Sequence, residues 1–358
     1  MKVMFIPDAR KNNSYQTNLS DSLSKEGILT YFDEGSVIRS TMKYRPDVLH
    51  IHWPYPFMMA NSRFMTVIKS TCFICWLSIL KISGMRIIWT VHNISDHEGK
   101  FKSLELFFGK ILVRLCDRLI THCLSAKIEV EKIYGKQSQV VIVPHGNYVG
   151  QYKNVMTQSQ ARDKLKLCID DIVFLYFGQI RPYKGVLELI DMFKKLKCEN
   201  AKLLIVGKPL NDEIVTEVLN SSGDDSRIYN VLEFIPDDNI QIYMNAADVV
   251  VLPYKNVLTS GAVLLAMSFG KPIIAPNVKC IADTLDNSGS FLYSEDDSLI
   301  SVMQHTLDMD RNVLIGMGGH NLKLSDQFSW DKIAKITSDV YKKCVVRTKT
   351  VKSENKSV

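Results

Sequence analysis

Arg181 and Lys184 stand three residues apart in FGQIRPYKG, between an apolar run and the start of an amphipathic one. Two cations at that spacing can reach one diphosphate from the same side, with the amides of a helix start behind them. Gly178 and Gly185 allow the tight turns this needs. A second anion site is expected at Thr259-Ser260-Gly261. There hydroxyls can cap a helix, and a glycine lets the backbone approach a ligand. Neither stretch is a Walker loop, because GxxxxGK followed by Ser or Thr is missing. Both follow strands of one parallel sheet and should share a rim, which suits a nucleoside diphosphate.

Candidate acid–base groups lie in the first half. Asp47 to His52 (DVLHIH) reads as a strand with His50 and His52 on one face. Arg86 to His92 (RIIWTVH) is a buried-type strand ending in His92-Asn93, and Asp96, His97 and Glu98 follow. Ligands gather at the carboxyl ends of strands in open α/β sheets, which places His52 better than His50. The candidates for a base are His52, His92, Asp96, His97 and Glu98, with His92 first because it closes the strand itself. Pro144-His145-Gly146-Asn147 follows a further strand. No HExxH or comparable spacing is present, so no metal is expected. Cys72 and Cys75 form a CxxC inside an apolar helix without a second pair, which argues against metal or redox use.

These groups need elements to hold them. Lys2 to Ile6 is an apolar strand followed by a polar loop without GxGxxG, then a helix from about Asn18 to Lys25. The second half restarts the βα pattern: strand 171–177, helix 186–196, strand 201–206 ending at Gly207, strand 231–235 and helix 237–246. Strand 248–254 follows, then the helix 262–269, stopped by Gly270 and Lys271-Pro272, and the strand 273–275. The fold class is therefore α/β, with two doubly wound Rossmann-like domains facing each other across a cleft. Expected boundaries are 1–154 and 155–335. Residues 336–358 would form a last helix end and a disordered tail that packs back toward the N-terminal domain.

A chain of 358 residues is comfortable for two domains, and 46% apolar with 23% charged residues is ordinary for a soluble globular protein. Eight sparse cysteines, including Cys116, Cys168 and Cys280 in apolar contexts, fit reduced thiols in a cytosol. MKVMFIPDAR already reads as a strand, not a secretory signal. Charge is uneven, with 20 Lys and Arg against 12 Asp and Glu in residues 1–153, and 24 against 26 in residues 154–358. No basic–aromatic RNA motif or zinc-finger spacing accompanies the basic half, so nucleic acid is not expected and an anionic membrane surface is. The apolar stretch 62–84 is short for a span between Lys69 and Lys81. It reads as a helix in the membrane interface, with those lysines snorkelling and Trp76 as anchor, or else as a crossover helix packed on the sheet. A second basic–apolar helix is expected in 101–120, with Lys102, Phe107, Phe108, Lys110, Arg114 and Arg118.

FGQIRPYKG, Gly207, AADVVVLPY, TSGAVLLAMSFGKPIIAP and FSWDKIA cover most of residues 171–335. Their order and spacing resemble GT-B-fold glycosyltransferases of family four (group one). DVLHIHWP, TVHN and VPHGN resemble the family more loosely. The resemblance implies that Arg181 and Lys184 hold the donor diphosphate, and that Thr259, Ser260 and Gly261 meet its phosphates. It implies that His92 approaches the transferred sugar or the acceptor. The nucleotide is expected at Gly178, Gly207, Phe234 and Ile235. One departure is plain: Val257 and Leu265 occupy the positions of two family glutamates, the second of which usually holds the donor ribose. Retaining and inverting stereochemistry therefore both stay open. A Thr-Ser-Gly variant of this kind points to the exopolysaccharide and capsule transferases of bacteria.

The expected activity is transfer of a sugar from a UDP- or GDP-sugar to a polyprenyl-linked saccharide in surface polysaccharide biosynthesis. It would take place in the cytoplasm at the inner face of the membrane, with no metal. A sugar-nucleotide epimerase on the same fold and a non-catalytic partner subunit are the alternatives.

Overall fold

The computed structural model describes residues 1–11, 13–93, 101–135, 139–255, 257–258, 260–294 and 298–354, with side chains to residue 346. Two compact units emerge, Met1–Gly146 with Trp330–Val358, and Asn147–Ser329.

The first unit is built on a six-stranded parallel sheet of order β2-β1-β3-β4-β5-β6. Its strands are β1 (Lys2–Ile6), β2 (Leu29–Phe32), β3 (Val48–Ile51), β4 (Arg86–Thr90), β5 (Arg118–Thr121) and β6 (Val140–Ile142). Val3 to Ile6 are fully buried, as a parallel strand covered by helices on both faces requires. The second unit repeats the plan with order β12-β11-β10-β7-β8-β9. Its strands are β7 (Ile172–Phe177), β8 (Ala201–Val206), β9 (Ile228–Val231), β10 (Val249–Val251), β11 (Ile273–Pro276) and β12 (Ser290–Tyr293). The strand order reverses between β1 and β3 in one sheet and between β7 and β10 in the other. Those are the points where the loops leaving neighbouring strands diverge and open a crevice.

The passage between units comes at Gly146–Asn147, eight residues before the boundary expected at 154. Asn147 is already tied into the second unit: its amide donates to Phe328 O (2.8 Å) and its Nδ2 to Ser325 O (2.8 Å). The return comes at Trp330, not after 335. A Cβ on Gly146 would lie 2.3 Å from the Trp330 ring, so the glycine is what lets that ring seat on the first unit. The helix Trp330–Glu354 begins there, and residues 348–354, expected to be disordered, continue it. Within the first unit it packs on the helix Tyr15–Lys25, with a Lys25–Asp331 ion pair of 2.8 Å and a buried Tyr341.

The strand expected at 231–235 lies three residues earlier, as β9. Arg227, held by Asp225 at 2.7 Å, fixes its start, and Phe234-Ile235 fall in the loop beyond its carboxyl end.

The helix Arg63–Ile82 is the crossover from β3 to β4. It is long and apolar enough to cross a membrane by length and composition. Thr66, Ser70, Phe73 and Leu77 form its buried face, while Phe64, Met65, Ile68, Ile79 and Ile82 are exposed. The two lysines expected to snorkel are bonded within the unit. Lys69 Nζ donates to Pro56 O (3.0 Å) and Met59 O (2.9 Å), and Lys81 pairs with Asp117 at 2.7 Å. Both ammonium groups thus have acceptors within their own unit.

Candidate active site

At the reversal point of the second unit, the loops after β7 and β10 are stitched together. Arg181 precedes a single 3-10 turn, Pro182–Lys184, and Gly185 follows it with φ +72°. A Cβ at Gly185 would stand 2.1 Å from Pro253 O, so only glycine permits the contact with the β10 loop. Lys255 N donates to Tyr183 O at 3.0 Å and completes the stitch. Lys184 Nζ then lies 3.9 Å from the centroid of the Tyr254 ring. Ser260 caps the helix Gly261–Ser268: its hydroxyl donates to Tyr254 Oη (3.2 Å) and accepts from Val263 N (3.4 Å). The cation and the capped helix start expected from the sequence are thus joined through one tyrosine. The first amides of that helix have no carbonyl of a preceding turn to bond, and the helix dipole adds partial positive charge there.

Gly178 and Gly207 sit side by side just beyond β7 and β8. A Cβ on Gly207 would fall 1.8 Å from Gly178 O, and φ is +141° and +144° at the two positions. Tyr148 closes the other side of the helix start, its hydroxyl 2.8 Å from where a Gly261 Cβ would stand. Phe234 is exposed and Ile235 buried. Val257 and Leu265 are both buried in the apolar core, so neither offers a ribose hydroxyl an acceptor. Thr259 lies outside the described residues.

The first unit gathers five histidines at its carboxyl edge. His52 follows β3 and His122 follows β5 directly, His92 comes two residues past β4, and His145 three past β6. Period-two alternation turns His50 the same way as His52, and their rings lie 4.2 Å apart. His52 Nδ1 and His92 Nε2 are 3.2 Å apart, His92 Nδ1 and His122 Nε2 3.1 Å, and His122 Nδ1 and Val143 O 2.9 Å. Trp53 stacks on His92 at 4.5 Å, and the Tyr15 ring stands edge-on to His92 at 4.9 Å. His50 is held by Tyr341 Oη (2.6 Å) and Thr90 Oγ1 (2.7 Å).

Burial, reinforced by mutual repulsion at all but His145, favours the neutral form of these rings. It pushes His50 and His122 down to about 3 and His145 to about 4, and it holds His52 and His92 well below the usual imidazole range. Both nitrogens of His92 are engaged by neighbouring rings. Asp96, His97 and Glu98 lie outside the described residues. His122, Tyr148 and Tyr254 were not singled out from the sequence. The rule that selected His52 would have found His122, which also closes a strand.

Comparison with known proteins agrees with both halves. The family described as "Glycosyl transferases group 1" matches residues 171–308, and "Glycosyltransferase Family 4" matches residues 22–147. The chain is 29% identical over 286 residues to a GDP-mannose:glycolipid 4-beta-D-mannosyltransferase of Xanthomonas campestris, covering 78% of this chain and 75% of that one. It is 28% identical over 209 residues to a lipopolysaccharide 1,2-N-acetylglucosaminetransferase of Salmonella typhimurium, covering 55% and 54%. Among solved structures, sucrose-phosphate synthase from Thermosynechococcus elongatus superposes with a TM-score of 0.77 at 16% identity, over 97% of this chain and 99% of that one. Anabaena HepE in complex with UDP gives 0.74 at 16% identity, over 96% and 100%. These likenesses show the two-domain GT-B fold.

Proposed function

We propose a reaction for a chain that belongs to the glycosyltransferases of group 1 and family 4: it moves a sugar, mannose first among the candidates, from a nucleoside-diphosphate donor to a lipid-linked saccharide. The observation that carries this reading is the Lys184–Tyr254–Ser260 junction at the reversal point of the second sheet. Leaving-group charge develops on a diphosphate as the glycosidic bond breaks. Lys184, Arg181 and the Gly261–Ser268 helix start supply positive potential where that charge forms. That set of groups can do this without a metal.

GDP-mannose and a glycolipid acceptor are the substrates named for the Xanthomonas relative, and they are the first pair to test here. The linkage named there is β. A β product from a donor whose sugar is α-linked to its diphosphate requires inversion, and inversion requires a base on the acceptor hydroxyl. The neutral histidines of the first unit fit that need. Val257 and Leu265, in place of the family's glutamates, agree with a departure from the retaining pattern.

The acceptor class suggests work at a membrane, in the cytoplasm at its inner face. The exposed apolar stripe of the Arg63–Ile82 helix, with exposed Phe107, Lys110 and Arg114 on the helix Lys102–Leu115 that packs against it, fits an anionic interface. The product belongs, on this reading, to a surface polysaccharide such as a capsule or exopolysaccharide. The test is a screen of GDP- and UDP-sugars with polyprenyl-diphosphate saccharides, read as glycolipid product. Acceptor-dependent transfer from one donor is expected. Turnover of the donor without any acceptor would favour an epimerase and count against this reading.

A further inference from the structure

The three links that join His52, His92 and His122 have one consistent set of protons. Val143 O can only accept, so the shared proton sits on His122 Nδ1. A neutral His122 then carries a lone pair on Nε2, and His92 must donate to it from Nδ1. His92 Nε2 in turn is a lone pair, and His52 donates to it from Nδ1. What is left is His52 Nε2, an unprotonated nitrogen that is buried and has no hydrogen-bond partner among the described residues. One backbone carbonyl thus sets three tautomers in series. His50 contrasts with them: both its partners are hydroxyls, which rotate to suit either tautomer.

We propose that His52, His92 and His122 act as one base, with His52 Nε2 as the receiving atom and His122 as the positioning residue. A proton arriving at His52 Nε2 can pass on without breaking any link. His52 gives its Nδ1 proton to His92 Nε2, and His92 gives its Nδ1 proton to His122 Nε2. The positive charge passes in that step to His122, where the Nδ1–H bond to the Val143 carbonyl offsets part of the cost of burying it. The source of the proton rests on the transfer reaction above. The acceptor O–H bond breaks, an N–H bond forms at His52, and the freed electron pair attacks the anomeric carbon as the nucleoside diphosphate departs. Among the described residues, the ionisable groups packed around the three rings are His50 on β3, Tyr15 on the helix Tyr15–Lys25, and His145 beyond β6. Tyr341 of the helix Trp330–Glu354 holds His50 from behind. This shifts the base from His92, expected from the sequence, to His52.

The test reads tautomers and turnover separately, in the full chain. Long-range proton–nitrogen correlation spectra of histidine-labelled protein, assigned by single substitutions, should show His52, His92 and His122 all neutral and protonated at Nδ1 near pH 7. An Nε2–H form at any of the three overturns the relay, whatever the donor proves to be. His122→Gln can still donate to Val143 and accept from His92, but it cannot take up a proton. It should keep both remaining tautomers and the KM for donor, and lower kcat on the order of 10²-fold. Unchanged kcat in a folded His122→Gln enzyme would also overturn the relay. Expected tautomers with no glycosyl transfer from any donor would fault the assigned reaction instead.

Discussion

Lys184 and Ser260 contact opposite ends of one side chain: the ammonium lies over the Tyr254 ring, and the helix-capping hydroxyl bonds its phenol oxygen. Tyr254 therefore fixes the cation relative to the helix start. Tyr254→Leu removes the ring beneath Lys184, a contact worth about 0.5–2 kcal/mol. Donor affinity should fall roughly twofold to thirtyfold. Tyr254→Phe keeps the ring and should lose less. Titration calorimetry of both variants with GDP or UDP checks the order.

Leu265 is 7% exposed, inside the apolar core of the second unit. Leu265→Glu restores the residue type usual in the family but buries a carboxyl among apolar side chains. Burial raises its pKa in the folded state above the unfolded value of about 4.3. The cost is therefore full above the raised folded value and shrinks as pH falls from there toward about 4.3. The variant should melt several degrees lower at pH 7 and much closer to wild type at pH 5, in thermal scans.

The histidine cluster makes the first unit acid-sensitive. The folded pKa values of these rings lie far below the unfolded value of about 6.5, so below that pH the unfolded chain binds more protons. Stability from each ring is fully present above about 6.5 and declines by about 1.4 kcal/mol per pH unit below it, down to the folded pKa. All four tryptophans, Trp53, Trp76, Trp89 and Trp330, belong to this unit. Tryptophan fluorescence during urea titration should show the midpoint moving to lower urea between pH 7 and pH 5. A constant midpoint would mean that the cluster is not neutral and buried.

Ile68 and Ile79 are exposed on one stripe of the Arg63–Ile82 helix, whereas Lys69 and Lys81 are tied down within the unit. Ile68→Asp with Ile79→Asp should reduce sedimentation with anionic vesicles and leave the melting temperature nearly unchanged. Lys81→Ala should do the reverse, because it strips Asp117 of a partner.

Much of this was legible in the chain itself. The apolar runs at 171–177 and 248–254 and the glycines after them, Gly185 against Pro253 O and Gly261 beside Tyr148, locate both halves of the proposed diphosphate rim. The roles of Tyr254 and Tyr148 were not legible. A tyrosine in an apolar stretch reads as core until the fold shows what its ring and hydroxyl touch. The same holds for His122, whose meaning depends on a carbonyl 21 residues away. The boundary at Gly146 was hidden for a related reason: it is set by Asn147 bonding to Ser325 and Phe328, contacts that no local pattern announces.

The most direct test of the central claim is calorimetric binding of the donor nucleotide to Arg181→Ala and Lys184→Ala, beside wild type, with each fold verified by circular dichroism. If these cations grip the diphosphate, each variant should weaken GDP or UDP at least tenfold while leaving the nucleoside alone bound as before. Wild-type affinity in both variants would contradict the account.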